Sequence, residues 1–363
     1  MPATGTFPSE LVHVLKTHNG KSSFDLHSSV TPTPPFTLNC PVNALTFSSY
    51  PGTYLLTGSS DRAIHLSRAL PNSTSDPTSI VETTSPIQKY EAHGYSVLDV
   101  AVTVDNARFA SVGGDRLVFL WDVEQGGTVR RWTGHTSRVE AVQFAGENDS
   151  VVVSGSADTT INLWDSRSNS HKPIQTLSEA SDTVSSLHVH MPTYSIASGS
   201  YDGRARVYDV RTGRATVDVL AYPVTSVRCS ADGNALLAST LDGRIRMIDR
   251  ADGRLLRAFG GDEQTGKRHG NLESKYRNKE LRIRSVFAKA DAVVLSGSEA
   301  GDIDDKSKRT DQAHVFAWDV LTGEIIATVP AGEGIKVVSC VAWNEKTNCW
   351  AGGCVNGTVK VYA

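Results

Sequence analysis

The chain has 363 residues, of which 39% are apolar and 21% charged, with a formal net charge of −3. That balance excludes a globally basic nucleic-acid coat and an acidic disordered tail, and no apolar run approaches the roughly 20 residues that span a bilayer as a helix. The first residues lack the basic-then-apolar order of a secretory leader, and Cys40, Cys229, Cys340, Cys349 and Cys354 form no Cys-x-x-Cys pair, so they read as reduced thiols of a protein of the nucleus and cytoplasm.

Residues 11–16 alternate as a short strand, and residues 18–40, rich in Ser, Thr and Pro, follow as a surface loop. From Pro41 onward one unit recurs. A short apolar stretch ends in small residues, an acidic turn follows, and an alternating strand closes on an aromatic or apolar residue and often Asp. Residues 109–122, 153–165 and 196–209 are full copies, and 56–67, 237–249, 294–319 and 350–362 are looser ones. Most copies are spaced by about 40 to 45 residues, the period of a four-stranded propeller blade. The pairs Asp202-Gly203 and Asp242-Gly243 are tight hairpin turns. The Ser/Thr/Pro-rich residues 70–88 and the insertions at 261–280 and 302–312 map to loops between strands.

The expected fold is an all-β, seven-bladed propeller forming one domain over residues 41–363, with residues 1–40 supplying a closing strand and a flexible loop. The seventh copy ends after its third strand, so its outermost strand has to come from elsewhere. Residues 11–16 are the first candidate and 35–38 the second.

Position, spacing and residue type recur together, and the seven copies resemble the WD-repeat family over nearly the whole chain. A His, a Ser and an Asp repeat in register, which on its own is the cast of a nucleophilic triad. The resemblance implies structural tetrads instead. These are His93, Ser111, Asp115 and Trp121, then His135, Ser154, Asp158 and Trp164. In each the Asp accepts from the His, the His meets the Ser hydroxyl, and the Ser meets the indole N–H. No Gly-x-Ser-x-Gly elbow accompanies the serines. Elsewhere Ser67, Tyr208, Ile248 and Tyr362 stand in the Trp place, and those blades rest more on packing.

No catalytic residue, cofactor or metal site is expected. The segment from Gly297 to Gly301 lacks the Lys of a phosphate loop. Asp302, Asp304 and Asp305 lack the ligand spacing of a calcium loop, and His188 and His190 have no cysteine beside them.

Segments 92–100, 112–123, 134–144, 173–186, 203–211 and 241–249 resemble one branch of the family, the mitogen-activated protein kinase organisers, scaffolds also found in spliceosomes. That resemblance implies protein partners among spliceosomal components and kinase-cascade members, with the chain a monomer inside a larger assembly acting in pre-mRNA splicing, away from any membrane. The alternative is a substrate-receptor adaptor of a cullin-4 ubiquitin ligase. It rests on the WDxR run from Trp164 to Arg167 and its degenerate copy from Tyr208 to Arg211.

Tyr95, Arg138, Asp182 and Tyr201 are the partner-binding candidates, placed where strands enter the blades from the top face; Tyr and Arg are frequent interface hot spots. A second candidate is the basic segment 267–284. Lys267, Arg268, Lys275, Arg277, Lys279, Arg282 and Arg284 stand there against Glu273 and Glu280, with Tyr276 as one aromatic. It reads as a solvated loop or as a contact for RNA or an acidic, RNA-bound protein surface. Arg282 and Arg284, on a strand expected over residues 281–286, are alternatively tied to the rim.

Overall fold

Each repeat unit folds as an antiparallel meander because its apolar runs are short and end in turns that reverse the chain. The computed structural model describes residues 7–20, 38–71, 80–261, 275–301 and 312–363. The third blade shows the pattern in strands Val139–Ala145, Val151–Ser156, Ile161–Asp165 and Gln175–Leu177. Burial falls outward: the inner strands are buried on both faces, whereas the outermost exposes Gln175 and Thr176.

Five blades are built from consecutive strands, the first skips Val81–Thr83 between its third and fourth strands, and the seventh is built from both ends of the chain. The first blade runs from Val42–Phe47 through Tyr54–Ser59 and Ala63–Arg68 to Gln88–Glu91, and the second from Val97–Val102 to Thr128–Thr133. The fourth, fifth and sixth begin with Val184–His190, Val224–Cys229 and Ser285–Ala288. The innermost strands neighbour one another around the whole ring, including the seventh against the first.

Closure comes from the N-terminal side. Leu11–Leu15 pairs antiparallel with Val359–Tyr362, setting Leu15 opposite Val359, and becomes the fourth strand of the seventh blade. Residues 35–37 of the second candidate lie outside the described residues, while Leu38–Asn39 pairs with Asn19–Gly20. The segment 70–88 is not all loop. Val81–Thr83 adds a parallel strand on the outside of Leu11–Leu15, satisfying an edge that would otherwise stand open. His13 fixes the junction, with Nδ1 at 3.0 Å from the Ala69 carbonyl and Nε2 at 2.8 Å from Thr83 Oγ1.

Apolar cores lie between blades. Val112, Val118 and Leu120 of the second blade pack with Val139, Val142, Val152 and Trp164 of the third. The Ser-Gly-Ser motif has a steric cause. A Cβ on Gly155 would stand 2.7 Å from Val184 Cγ1 of the next blade's innermost strand, and one on Gly199 would stand 2.7 Å from Val224 Cγ1.

The sixth blade departs from its sequence pattern. Its innermost strand is Ser285–Ala288, so residues 281–284 are not strand. Their backbone leaves the ladder because Arg282 and Arg284 are drawn into the centre of the ring.

Candidate functional site

The top face carries the turns that lead into each innermost strand and the acidic turns between the second and third strands. Beneath it, the second and third blades each hold one continuous hydrogen-bond chain. His93 Nδ1 lies 2.7 Å from Asp115 Oδ2 and its Nε2 2.7 Å from Ser111 Oγ, which accepts from Trp121 Nε1 at 2.8 Å. In the third blade the same contacts are 2.9, 2.8 and 2.8 Å among His135, Asp158, Ser154 and Trp164. Burial alone would raise the Asp158 pKa. Hydrogen bonds from His135 and Thr160 outweigh it and hold the carboxyl well below the usual carboxylate range. Ser111 and Ser154 are fully buried, so neither hydroxyl reaches a substrate.

The other blades solve the same problem with different chemistry. In the first, His18 from the N-terminal segment binds Asp61 Oδ2 at 2.7 Å and Thr57 Oγ1 at 2.8 Å, with Ser67 in the Trp place. Nothing in the repeat spacing announces His18, which stands outside the repeat, ahead of its blade in the chain. His65 stacks on His18, centroids 4.0 Å apart and planes 8° from parallel, and among the described residues neither of its ring nitrogens has a partner. Burial, then the neighbouring His18, pushes its pKa down to about 3. Ligand atoms of His18, Asp61 and His65 lie within 4.8 Å of one another. Parallel stacked rings, however, cannot both aim an in-plane lone pair at one ion, so this geometry suits ring stacking and not a metal.

The fourth and fifth blades replace the histidine with arginine. Asp202 pairs with Arg206 at 2.7 Å, both nearly fully buried, and Asp242 pairs with Arg246 at 2.5 Å. The sequence signal was an Arg four residues after each turn aspartate.

The sixth blade corrects the reading of Tyr276. That side chain is 2% exposed, with its hydroxyl 3.3 Å from Ser296 Oγ and its ring edge-on to Trp318 at 5.2 Å. It fills the tetrad histidine's place and offers no face to a base. Glu299 completes this corner by accepting the backbone N–H groups of Lys279, Glu280 and Leu281. Lys275 and Lys279 are exposed and Arg277 is half-buried, while Lys267 and Arg268 lie outside the described residues, as do Asp302, Asp304 and Asp305. In the seventh blade Trp350 donates to the Pro8 carbonyl at 2.8 Å and stacks on Tyr362 at 4.1 Å.

At the centre of the top face, Arg282 and Arg284 leave the sixth blade and cross the channel. They are not tied to the rim. Arg282 Nη1 donates to Glu140 Oε2 at 3.0 Å, to the Glu140 carbonyl at 2.7 Å and to the Ser185 carbonyl at 2.9 Å. Its Nη2 reaches the Leu98 carbonyl at 2.8 Å, while Arg284 Nη1 donates to Asp99 Oδ1 at 2.6 Å. Four blades are thereby tied across the hole. Burial and the adjacent Arg284 lower the Arg282 pKa; against burial, Asp99 raises that of Arg284.

Three of the four partner-binding candidates gather around this plug. Arg138 donates to Glu140 at 2.5 Å and keeps 56% of its side chain exposed. Asp182 is exposed and accepts from the Thr183 N–H at 2.6 Å. Tyr201 is half-buried, with Arg282, Glu140, Arg138 and Asp182 as its charged neighbours, and burial raises its pKa. Tyr95, 65% exposed, stands on the turn into the second blade. Arg167 and Arg211 lie on the opposite face, the first 3.7 Å from Asp165 and 75% exposed, the second 4.7 Å above the Tyr194 ring.

The family described as nucleolar protein 10-like, N-terminal domain, matches residues 97–274. The chain is 25% identical over 311 residues to a WD repeat domain-containing protein 83 homolog of Dictyostelium discoideum, covering 78% of this chain and 83% of that one. It is 34% identical over 183 residues to WD repeat domain-containing protein 83 of Rattus norvegicus, covering 50% and 49%. It is 29% identical over 252 residues to autophagy-related protein 16 of Arabidopsis thaliana, covering 69% and 44%. The matched segments thus span about half the length of the rat and plant relatives.

Proposed function

We propose that this WD-repeat β-propeller is a scaffold that docks several protein partners on its top face and works within a spliceosome-associated assembly in pre-mRNA splicing, with kinase-cascade members as further partners. The observation that carries the scaffold reading is the internal use of every His, Ser and Asp set the repeats supply. Each is spent on holding a blade together, and the serines are fully buried. The top face offers solvent Arg138, Asp182 and Tyr201 around a charge-filled plug, with Tyr95 on the turn into the second blade. Aromatic and Arg side chains beside a fixed backbone suit protein docking. The splicing reading is supported by the segments resembling the organiser branch, above all residues 92–100. Its compartments are the nucleus and cytoplasm.

The basic segment adds a second contact. With Tyr276 buried, the described part of the segment carries the cations Lys275, Arg277 and Lys279 without an aromatic face for a base, which matches an acidic or RNA-bound protein surface better than bare RNA.

Affinity purification from nuclear and cytoplasmic extracts at mild salt tests the assignment. Recovery of spliceosomal proteins supports it. Recovery of a cullin-4 adaptor in their place supports the other reading, which the exposed Arg167 at the end of a WDxR run favours. In that case Arg167→Ala abolishes the recovery.

A further inference from the structure

One cation of the central channel lacks the carboxylate partner that its neighbours have. Arg282 is paired with Glu140 at 3.0 Å and Arg284 with Asp99 at 2.6 Å. Arg228, on the innermost strand of the fifth blade, faces the same channel, and among the described residues no carboxylate pairs with it. Asp99 is the carboxylate whose field it feels. That group is already committed: besides Arg284 it accepts the Val100 N–H at 2.9 Å and the Val142 N–H at 3.0 Å. Burial, then the adjacent Arg284, pulls the Arg228 pKa below the ordinary arginine value, as fits a cation short of a counter-charge.

A donor stands beside it. The Cys229 N–H donates to His188 Nδ1 at 3.0 Å. The neutral imidazole therefore carries its proton on Nε2, and burial and then Arg228 keep the ring neutral. Both side chains line a cavity of about 620 Å³ that opens on the bottom face, with Leu45, Phe47, Met191 and Trp343 among its walls. Two rim carboxylates also line it, and each holds a backbone N–H: Asp291 that of Ala231 at 2.5 Å, Glu345 that of Ala290 at 2.8 Å. Above Arg228 the channel narrows to about 30 Å³ between Asp99, Ser185, Ser226 and Arg284, room for a single water. A ligand entering from below is stopped at Arg228.

We propose that the bottom mouth of the central channel binds a small oxyanion, a phosphate or carboxylate group, held by the guanidinium of Arg228 and the Nε2–H of His188. A planar guanidinium meets two oxygens of either group at once, and a buried anion needs such charge-assisted donors. The site lies on the face opposite the partner-binding candidates, so it stands independently of the docking reading.

Isothermal titration of the full chain in HEPES buffer, with inorganic phosphate in one arm and acetate in the other, tests the site and tells the two sources apart. Wild type binds at least one of them, and Arg228→Met weakens that binding at least tenfold. The variant melts no lower than wild type, because methionine removes an uncompensated charge. Should Arg228→Met fail to fold, Arg228→Lys decides: it keeps the charge, loses the fork, and is expected to weaken the anion at least threefold. Equal affinity in wild type and the folded variant, or no binding of either anion to wild type up to tens of millimolar, overturns the proposal.

Discussion

His65 stands four residues after the turn aspartate of its blade, the place taken by Phe119 in the second blade, Arg206 in the fourth and Arg246 in the fifth. In the second blade Phe119 meets the tetrad His93 edge-on at 4.4 Å. In the first, His65 does the stacking and pays with two ring nitrogens that are unsatisfied among the described residues. Its folded-state pKa, about 3, lies below the unfolded value near 6.5. The unfolded chain therefore binds the extra proton first. The stability held by the neutral ring is complete above about pH 6.5 and is lost as pH falls toward 3, with a slope approaching about 1.4 kcal/mol per unit. His65→Phe, which copies the second blade, is expected to reduce the loss of stability between pH 7.5 and 5.0 in urea melts; an unchanged loss would contradict the assignment. Asp158 has the opposite polarity. Its depressed pKa makes its contribution complete above about pH 4 and lost at lower pH. His135→Ala or Asp158→Ala is expected to cost about 1–3 kcal/mol at neutral pH by orphaning buried partners, read from denaturant midpoints. At this scale the sequence showed the tetrads whose His, Ser, Asp and Trp fall at repeat spacing. It hid His18, supplied from outside the repeat, and it misplaced Tyr276, whose basic neighbours in sequence suggested solvent while Trp318 and Ser296 bury it.

Elements were legible where a local period existed. The seven copies and the strand of residues 11–15 could be read because alternation and turn chemistry repeat within one blade's length. Val81–Thr83 could not, since three residues in a Ser/Thr/Pro-rich stretch become a strand only against the edge of Leu11–Leu15. The short innermost strand of the sixth blade was equally hidden, because what shortens it is the pull of two arginines across the ring. A chain starting at residue 20 loses Leu11–Leu15 and exposes the edges of Val359–Tyr362 and Val81–Thr83. It is expected to self-associate and to melt at lower temperature. A monomer of undiminished stability by light scattering and calorimetry would contradict the closure. Gly155→Ala drives a methyl toward Val184 and is expected to cost about 1–3 kcal/mol through overpacking, measured in the same melts.

At the scale of the whole molecule, the ring is stapled through its own hole. Arg282 and Arg284 reach Leu98, Asp99, Glu140 and Ser185 on three other blades. No local pattern encodes contacts between residues separated by 97 to 185 positions, which is why sequence placed these arginines in a basic segment, with the rim as the alternative. Arg282→Met strands Glu140 in the interior. Because Arg138 still pairs with that carboxylate, the cost is expected at the lower end of the range for a broken buried pair, about 3 kcal/mol, with loss of unfolding cooperativity seen by calorimetry.

Arg138 is bonded to Glu140 of the plug, with Tyr201 and Asp182 beside it, and partner docking on that cluster is the central claim. It is tested most directly by quantitative mass spectrometry of proteins recovered on wild type and on a variant with Tyr95, Arg138, Asp182 and Tyr201 all changed to Ala, matched for melting temperature. The account predicts that spliceosomal proteins are enriched on wild type and fall at least tenfold on the variant. Undiminished recovery on the variant would contradict it.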